Sequence, residues 1–346
     1  MRRLPHVRSG PYVPPVPGHE LTAVSADGAR VHVEVHGPQH APAVVLVHGW
    51  TCSTAFWAAQ VRALSATYRV IAYDLRGHGR SDAPLEPAGY STRALADDLE
   101  AVLAATLAPG EPAVLAGHSM GAMTLLAAAG RPGVREHTAA VLLCSTGSSR
   151  LVAESTVVPL RAGPLRTRLT HRILGARAPL GPVTPLGMRV LRYGTMGAGS
   201  PRDRVEACAR IVHACPRVVR YRWAHVLGEL HLDAGISELT APAAVLAGTV
   251  DRLTPVVHAR RLAEALPHCV GLTELTGVGH MTPIEAPEAV TDRIAELAEA
   301  YVAAPAARAP GRERRERREP PGQRREDLVR RRAQDHQGQQ REREGA

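Results

Sequence analysis

One short stretch of this 346-residue chain places a potential nucleophile where its reactivity would be useful. Ser119 lies in Gly117-His118-Ser119-Met120-Gly121, between the small and apolar run Ala113–Ala116 and the Ala/Leu-rich run Ala122–Ala129. This pattern reads as strand, tight turn and helix, with the serine at the turn. Glycines two positions to either side remove side chains that would collide with the neighbouring strand and helix, and a strained turn pushes the hydroxyl out to where a base can reach it. The backbone N–H of Met120, at the start of the helix, would point toward an oxyanion formed by attack from Ser119. The helix dipole would add to its field. These residue types in this order suit nucleophilic acyl transfer.

Three further segments lie beside apolar runs. Ala43–Val47 ends in His48-Gly49-Trp50, Ala243–Gly248 leads into Thr249-Val250-Asp251-Arg252-Leu253-Thr254-Pro255, and Gly277-Val278-Gly279-His280-Met281 follows another apolar segment. With the serine turn, a nucleophile elbow, they run in the order Ser, Asp, His, and on these residues the chain resembles the α/β-hydrolase family. The resemblance implies a mostly parallel central sheet flanked by helices, with a catalytic triad of Ser119, Asp251 and His280. It also implies an oxyanion hole made by the backbone N–H groups of Trp50 and Met120. His48 is expected to organise its loop by hydrogen bonding rather than act as a base. The segment Asp74–Asp82 closely resembles a family signature and is expected to be structural, His78 included. Some relatives place the catalytic acid after the strand that corresponds to Ala139–Cys144. Here Ser145-Thr146-Gly147 offers no carboxylate, which favours Asp251.

A serine at position 119 argues against the haloalkane dehalogenase and epoxide hydrolase branches, which resemble this fold but carry Asp there. The activity implied is hydrolysis of a small-molecule carboxylic ester through an acyl-enzyme, with no cofactor and no metal. C–C bond hydrolysis, thioester hydrolysis and cofactor-free haloperoxidase chemistry rest on the same motifs. A catalytically silent fold used for ligand binding or interaction is the reading from another class.

The elements that must position these residues follow from pattern. Residues 1–20 are Pro-rich and read as an irregular arm. Leu21–Val35 alternates around Asp27-Gly28 and reads as an edge hairpin. A helix over Thr54–Ala66, a strand over Arg69–Tyr73, a helix capped by Ser91-Thr92 and a strand over Ala139–Cys144 complete a core of residues 21–149 and 238–303, closed by a helix over Pro287–Tyr301. Residues 150–237 depart from strand-helix alternation and read as a helical lid insertion. Within it Pro164–Leu174 spaces Leu165, Leu169 and Ile173 four apart, read as a small packing stripe beneath a solvated arginine face. Anionic substrates or an acidic membrane surface are the sharper alternatives for that basic helix. Residues 304–346 hold almost no apolar side chain and are expected to be disordered.

Composition narrows the class further. The hydrophobic share is 45% but aromatics are 3%, so Ala, Val and Leu must fill the core. Every one of the 42 basic residues is Arg, and they are unevenly placed. Residues 150–222 carry fourteen arginines against three acids, whereas 21–149 with 223–307 carry twelve against twenty-one. Five cysteines, an odd number without scaffold spacing, suit reduced thiols in a cytoplasmic protein. Cys208, His213 and Cys215 lack the spacing of a metal site, and the cysteines are expected to be buried thiols. No apolar run follows Met1-Arg2-Arg3 and none is long enough to span a membrane, so neither export nor a transmembrane anchor is expected. The tail has thirteen arginines diluted by eight acids and no aromatic residue for base stacking, which argues against specific nucleic-acid binding. Oligomeric state is left open by the sequence.

Overall fold

The computed structural model describes residue 10 and residues 12–178, 180 and 183–302. The expectations for residues 304–346, and for most of the arm before residue 12, lie outside the described residues. An eight-stranded sheet forms the centre, in the order β1-β2-β4-β3-β5-β6-β7-β8. Its strands are β1 His19–Val24, β2 Arg30–His36, β3 Ala43–Val47, β4 Arg69–Tyr73, β5 Ala113–His118, β6 Thr138–Cys144, β7 Ala243–Gly248 and β8 Cys269–Leu275. The first two pair antiparallel at one edge, and β3 through β8 are parallel to one another.

The burial pattern explains this division. Every residue of β3, β5 and β7 is buried, because helices cover a parallel sheet on both faces and its central strands must be apolar throughout. In β2, Val31 and Val33 are buried in the core, while the polar residues His32, Glu34 and His36 occupy the alternate positions. Among the described residues there are thirteen α-helices, in chain order α1 Ala58–Leu64, α2 Thr92–Thr106, α3 Met120–Ala128, α4 Pro132–His137, α5 Leu151–Glu154, α6 Pro164–Leu174, α7 Pro185–Thr195, α8 Arg202–Ala214, α9 Arg217–Gly228, α10 Asp233–Glu238, α11 Val257–Ala265, α12 Thr282–Glu285 and α13 Pro287–Tyr301. Val45 and Leu115 share one core cluster with apolar residues of α2, α3 and α11. Val44 and Val114 share the other with residues of α1 and α13.

Two local features tie loops to this frame. Ser91 caps α2 by accepting from the Ala94 N–H at 3.1 Å, as its position before an apolar-periodic run requires. Arg76, fully buried, forms a forked pair with Asp98 on α2 (2.7 and 2.5 Å) and reaches Asp27 at 2.8 Å, which fixes the Asp74–Asp82 loop against the β1–β2 turn.

Helices α5 to α10 all lie between β6 and β7. One expectation about them fails. Leu165 and Ile173 of α6 are 62% and 56% exposed, whereas Thr170 is the buried residue of that helix. The four-residue spacing put the apolar side chains on one face, but what the neighbouring helices cover is a different face. A stripe fixes a direction on the helix, not its partner.

Candidate active site

Because β3, β5, β7 and β8 are parallel, their carboxyl ends open on one edge of the sheet, and the loops that leave them carry all five sequence-derived candidates. Ser119 follows β5 with φ +51° and ψ −115°, a backbone conformation that non-glycine residues rarely adopt. It is held there from both sides. Its N–H donates to the Cys144 carbonyl at 2.9 Å, and its carbonyl accepts from the Met123 N–H at 3.0 Å and the Thr146 hydroxyl at 3.0 Å. The flanking glycines are sterically required: a Cβ on Gly117 would lie 2.6 Å from the Ala122 backbone, and one on Gly121 would lie 2.1 Å from the Val47 carbonyl oxygen.

The other two residues meet each other directly. Nδ1 of His280 lies 2.8 Å from Oδ2 of Asp251, and both side chains are buried. The remaining carboxylate oxygen, Oδ1, accepts from the N–H groups of Leu253 (2.8 Å) and Thr254 (2.9 Å). The Thr254 hydroxyl donates to Oδ2 at 2.8 Å. A carboxylate so fully supplied with donors is held in one orientation, and its bond to Nδ1 leaves Nε2 as the imidazole's basic nitrogen. Ser119 and His280 line the same cavity. Their side chains make no hydrogen bond to each other here, a pairing that in free enzymes often closes only around substrate.

The N–H groups of Trp50 and Met120 have no acceptor among the described residues, so both donors remain available. The loop that carries Trp50 is built by its histidines. His48 Nε2 accepts from the Leu75 N–H at 3.0 Å, and its Nδ1 is 2.8 Å from the Gly49 carbonyl. Nε2 of His78 accepts from the Thr51 N–H at 3.2 Å, which stabilises the left-handed φ of +64° at Thr51. Complete burial pushes the His48 imidazolium pKa down to about 4 and, with His48 beside it, that of His78 down to about 3. Both are therefore neutral loop-builders.

Two residues in this region were not singled out for the site from sequence. Glu285, buried at the end of α12, accepts through Oε2 from the N–H groups of Gly197 (2.7 Å) and Gly279 (3.1 Å) and from the Ser200 hydroxyl (2.7 Å). Its Oε1 accepts from the Met281 N–H at 3.1 Å. One carboxylate thus clamps both neighbours of His280 to the segment that joins α7 to α8. His280 itself is tied the same way, its N–H donating to the Thr195 carbonyl at 2.9 Å. His118, the residue before the serine, pairs through Nε2 with the His280 carbonyl at 2.8 Å and packs its ring 4.9 Å from that of His280. Burial, with His280 beside it, keeps His118 far below the usual imidazole range, so it adds no second positive charge next to His280.

The cavity above Ser119 has a volume of about 250 Å³. Trp50, Met123 and Leu253 line it, and most of the remaining lining comes from the β6–β7 segment, including Leu151, Leu174 and Leu227. The chemistry available is a serine hydroxyl, an oriented imidazole and two unpaired backbone donors beside a mostly apolar cavity that Arg220 also lines. Elsewhere, donor atoms of Glu20, His32 and Glu34 lie within 4.8 Å of one another. Arg80 bonds both carboxylates and already supplies the positive charge there.

Residues 42–287 match the model of the alpha/beta hydrolase fold, and the chain belongs to this family. The chain is 32% identical over 259 residues to a putative carbamate hydrolase RutD of Variovorax paradoxus, covering 68% of this chain and 84% of that protein. A probable oxidoreductase EphD of Mycobacterium tuberculosis is 37% identical over 115 residues, 33% of this chain and 19% of that protein. The chain therefore spans about a fifth of the length of that curated relative. Among solved structures, a thermophilic esterase from Thermogutta terrifontis superposes with a TM-score of 0.66 at 23% identity, over 82% of this chain and 99% of the esterase, a likeness of fold.

Proposed function

We propose that the protein is a serine hydrolase of carboxylic esters that works through an acyl-enzyme. The observation that carries this reading is the 2.8 Å bond between His280 Nδ1 and Asp251 Oδ2 beside a cavity that Ser119 also lines. In the forward step His280 Nε2 takes the proton from Ser119 Oγ as that oxygen bonds to the ester carbonyl carbon. The resulting oxyanion is held by the N–H groups of Trp50 and Met120. The carbonyl then reforms, the bond to the alkoxy oxygen breaks, and the imidazolium returns its proton to the departing alcohol. Water repeats the sequence on the acyl-enzyme and releases the acid. Asp251 fixes the tautomer and stabilises the imidazolium throughout.

Helices α5 to α10 act in this reading as a lid that shapes the acyl and alcohol pockets. A carboxylic ester is the choice because it asks for nothing beyond these groups. Hydrolysis of short and medium 4-nitrophenyl esters by the wild type, by Ser119→Ala and by His280→Ala tests it. Each substitution is expected to lower kcat by at least about 10⁴-fold while the protein stays folded. An unchanged rate in either variant would remove that residue from the mechanism.

A further inference from the structure

The cavity contains a charged side chain that the proposed ester chemistry does not use. Arg220, on α9, is 7% exposed and lines the same cavity as Ser119. No carboxylate lies within salt-bridge distance of it among the described residues. Its single side-chain hydrogen bond there runs from Nη2 to the Ala178 carbonyl. A guanidinium has five N–H donors and does not lose its charge, so a buried arginine without an acid beside it is costly unless something else satisfies it. The residue is nearly closed to solvent and lines the cavity, so a cavity occupant is a partner that could meet its remaining donors.

The position is fixed as well as charged. Trp50, whose backbone N–H is an oxyanion donor in the proposed mechanism, donates its indole Nε1–H to the Arg220 carbonyl at 3.1 Å, so this part of α9 is pinned beside the oxyanion loop. The surroundings work in the same direction. The segment 150–222, which builds the cavity wall, carries fourteen arginines against Glu154, Asp203 and Glu206. Glu154 is taken by Arg261, and Glu206 pairs with Arg202. A wall with this excess draws anions toward the cavity.

We infer that Arg220 is a specificity residue that binds a second, unreacting carboxylate on the substrate, so that the preferred ester is a half-ester of a dicarboxylic acid or an ester of comparable charge. This rests on the ester-hydrolase reading. A carboxylate fits better than a phosphate, because one guanidinium in a mostly apolar cavity matches a single negative charge and its two oxygens.

Steady-state kinetics on mono-4-nitrophenyl adipate and suberate test the inference, each compared with a neutral ester in which an isopropyl end replaces the carboxylate. The wild type is expected to favour the charged esters. Arg220→Met, which keeps most of the stem volume, is expected to lose about 10²-fold in kcat/KM on them, chiefly through KM, and to stay within threefold on the neutral esters. Arg220→Lys is expected to recover part of the loss. A purely structural role for Arg220 would lower both substrate classes together, and that result would overturn the inference. So would a wild type that hydrolyses both classes with no preference at either chain length, an observation that needs no variant to fold. Failure of the underlying reading looks different: a wild type that turns over neither class and leaves Ser119 unlabelled by a fluorophosphonate removes the esterase reading and this inference with it.

Discussion

At the scale of single residues, two kinds of group meet at the Ser119 cavity. Ser119, Asp251 and His280 carry the proposed reaction, and Trp50 and Met120 would supply backbone N–H groups to it, while the Trp50 indole ties the same loop to the Arg220 carbonyl. Glu285 touches no reacting atom, yet it accepts from the N–H groups of both residues that flank His280. Glu285→Gln replaces one oxygen by a donor that faces N–H groups. It is therefore expected to lower kcat about 10- to 100-fold with a smaller change in KM, because a misplaced imidazole costs rate more than binding. Stopped-flow acylation rates on the variant check this, and an unchanged acylation rate would show that the clamp is not needed to place His280. The five candidates were legible in the sequence because each sits in a short motif beside an apolar run. Glu285 and Arg220 were not. Gly197, a partner of Glu285, lies 88 residues away in the chain, and what sets Arg220 apart is the absence of an acid in three dimensions, which no local spacing encodes.

At the scale of elements, the strand-turn-helix of β5 and α3 is tightly constrained at both glycines of the elbow. Gly121 packs against the carbonyl of Val47, so the elbow and the oxyanion strand β3 touch through bare backbone. Gly121→Ala is expected to separate them or block folding, lowering the melting temperature by at least about 10 °C or leaving the protein insoluble. A normally folded, fully active variant would show that the close approach is not required. The parallel strands were legible because burial on both faces leaves unbroken apolar runs, as in Ala43–Val47 and Ala243–Gly248. The helices between β6 and β7 were legible only as an interruption. Their arrangement depends on which side of each helix the neighbouring helices cover, and in α6 that side holds Thr170 rather than Leu165 and Ile173.

At the scale of the whole molecule, acid should act on two buried histidines and a buried carboxylate in the same direction. His48 and His78 are held neutral by burial, with pKa values near 4 and 3 in place of the usual 6.5. The unfolded chain binds protons at these positions first, so stability is complete above about pH 7 and falls as pH drops through 6.5 toward 4. Burial alone would raise the carboxyl pKa of Glu34, but the His36 imidazole 3.5 Å away and the bonded Arg80 guanidinium and Thr54 hydroxyl outweigh it and bring it down from 4.5 to about 2. Its contribution is present above about pH 4.5 and is lost as pH falls toward 2. Melting temperature against pH is therefore expected to decline steadily from pH 7 to pH 3. The decline between 6.5 and 4 should be shallower in His48→Gln, and Glu34→Gln should be less stable than the wild type at pH 7 but converge with it near pH 2. A wild-type profile flat from pH 7 to 4 would contradict the buried, neutral state of both histidines.

The central claim is that this architecture delivers an activated serine, and intact mass after treatment with a small fluorophosphonate tests it most directly. One adduct on the wild type, absent from a folded Ser119→Ala variant, is the predicted result. A folded wild type that gains no adduct, or a variant that gains the same one, would contradict it.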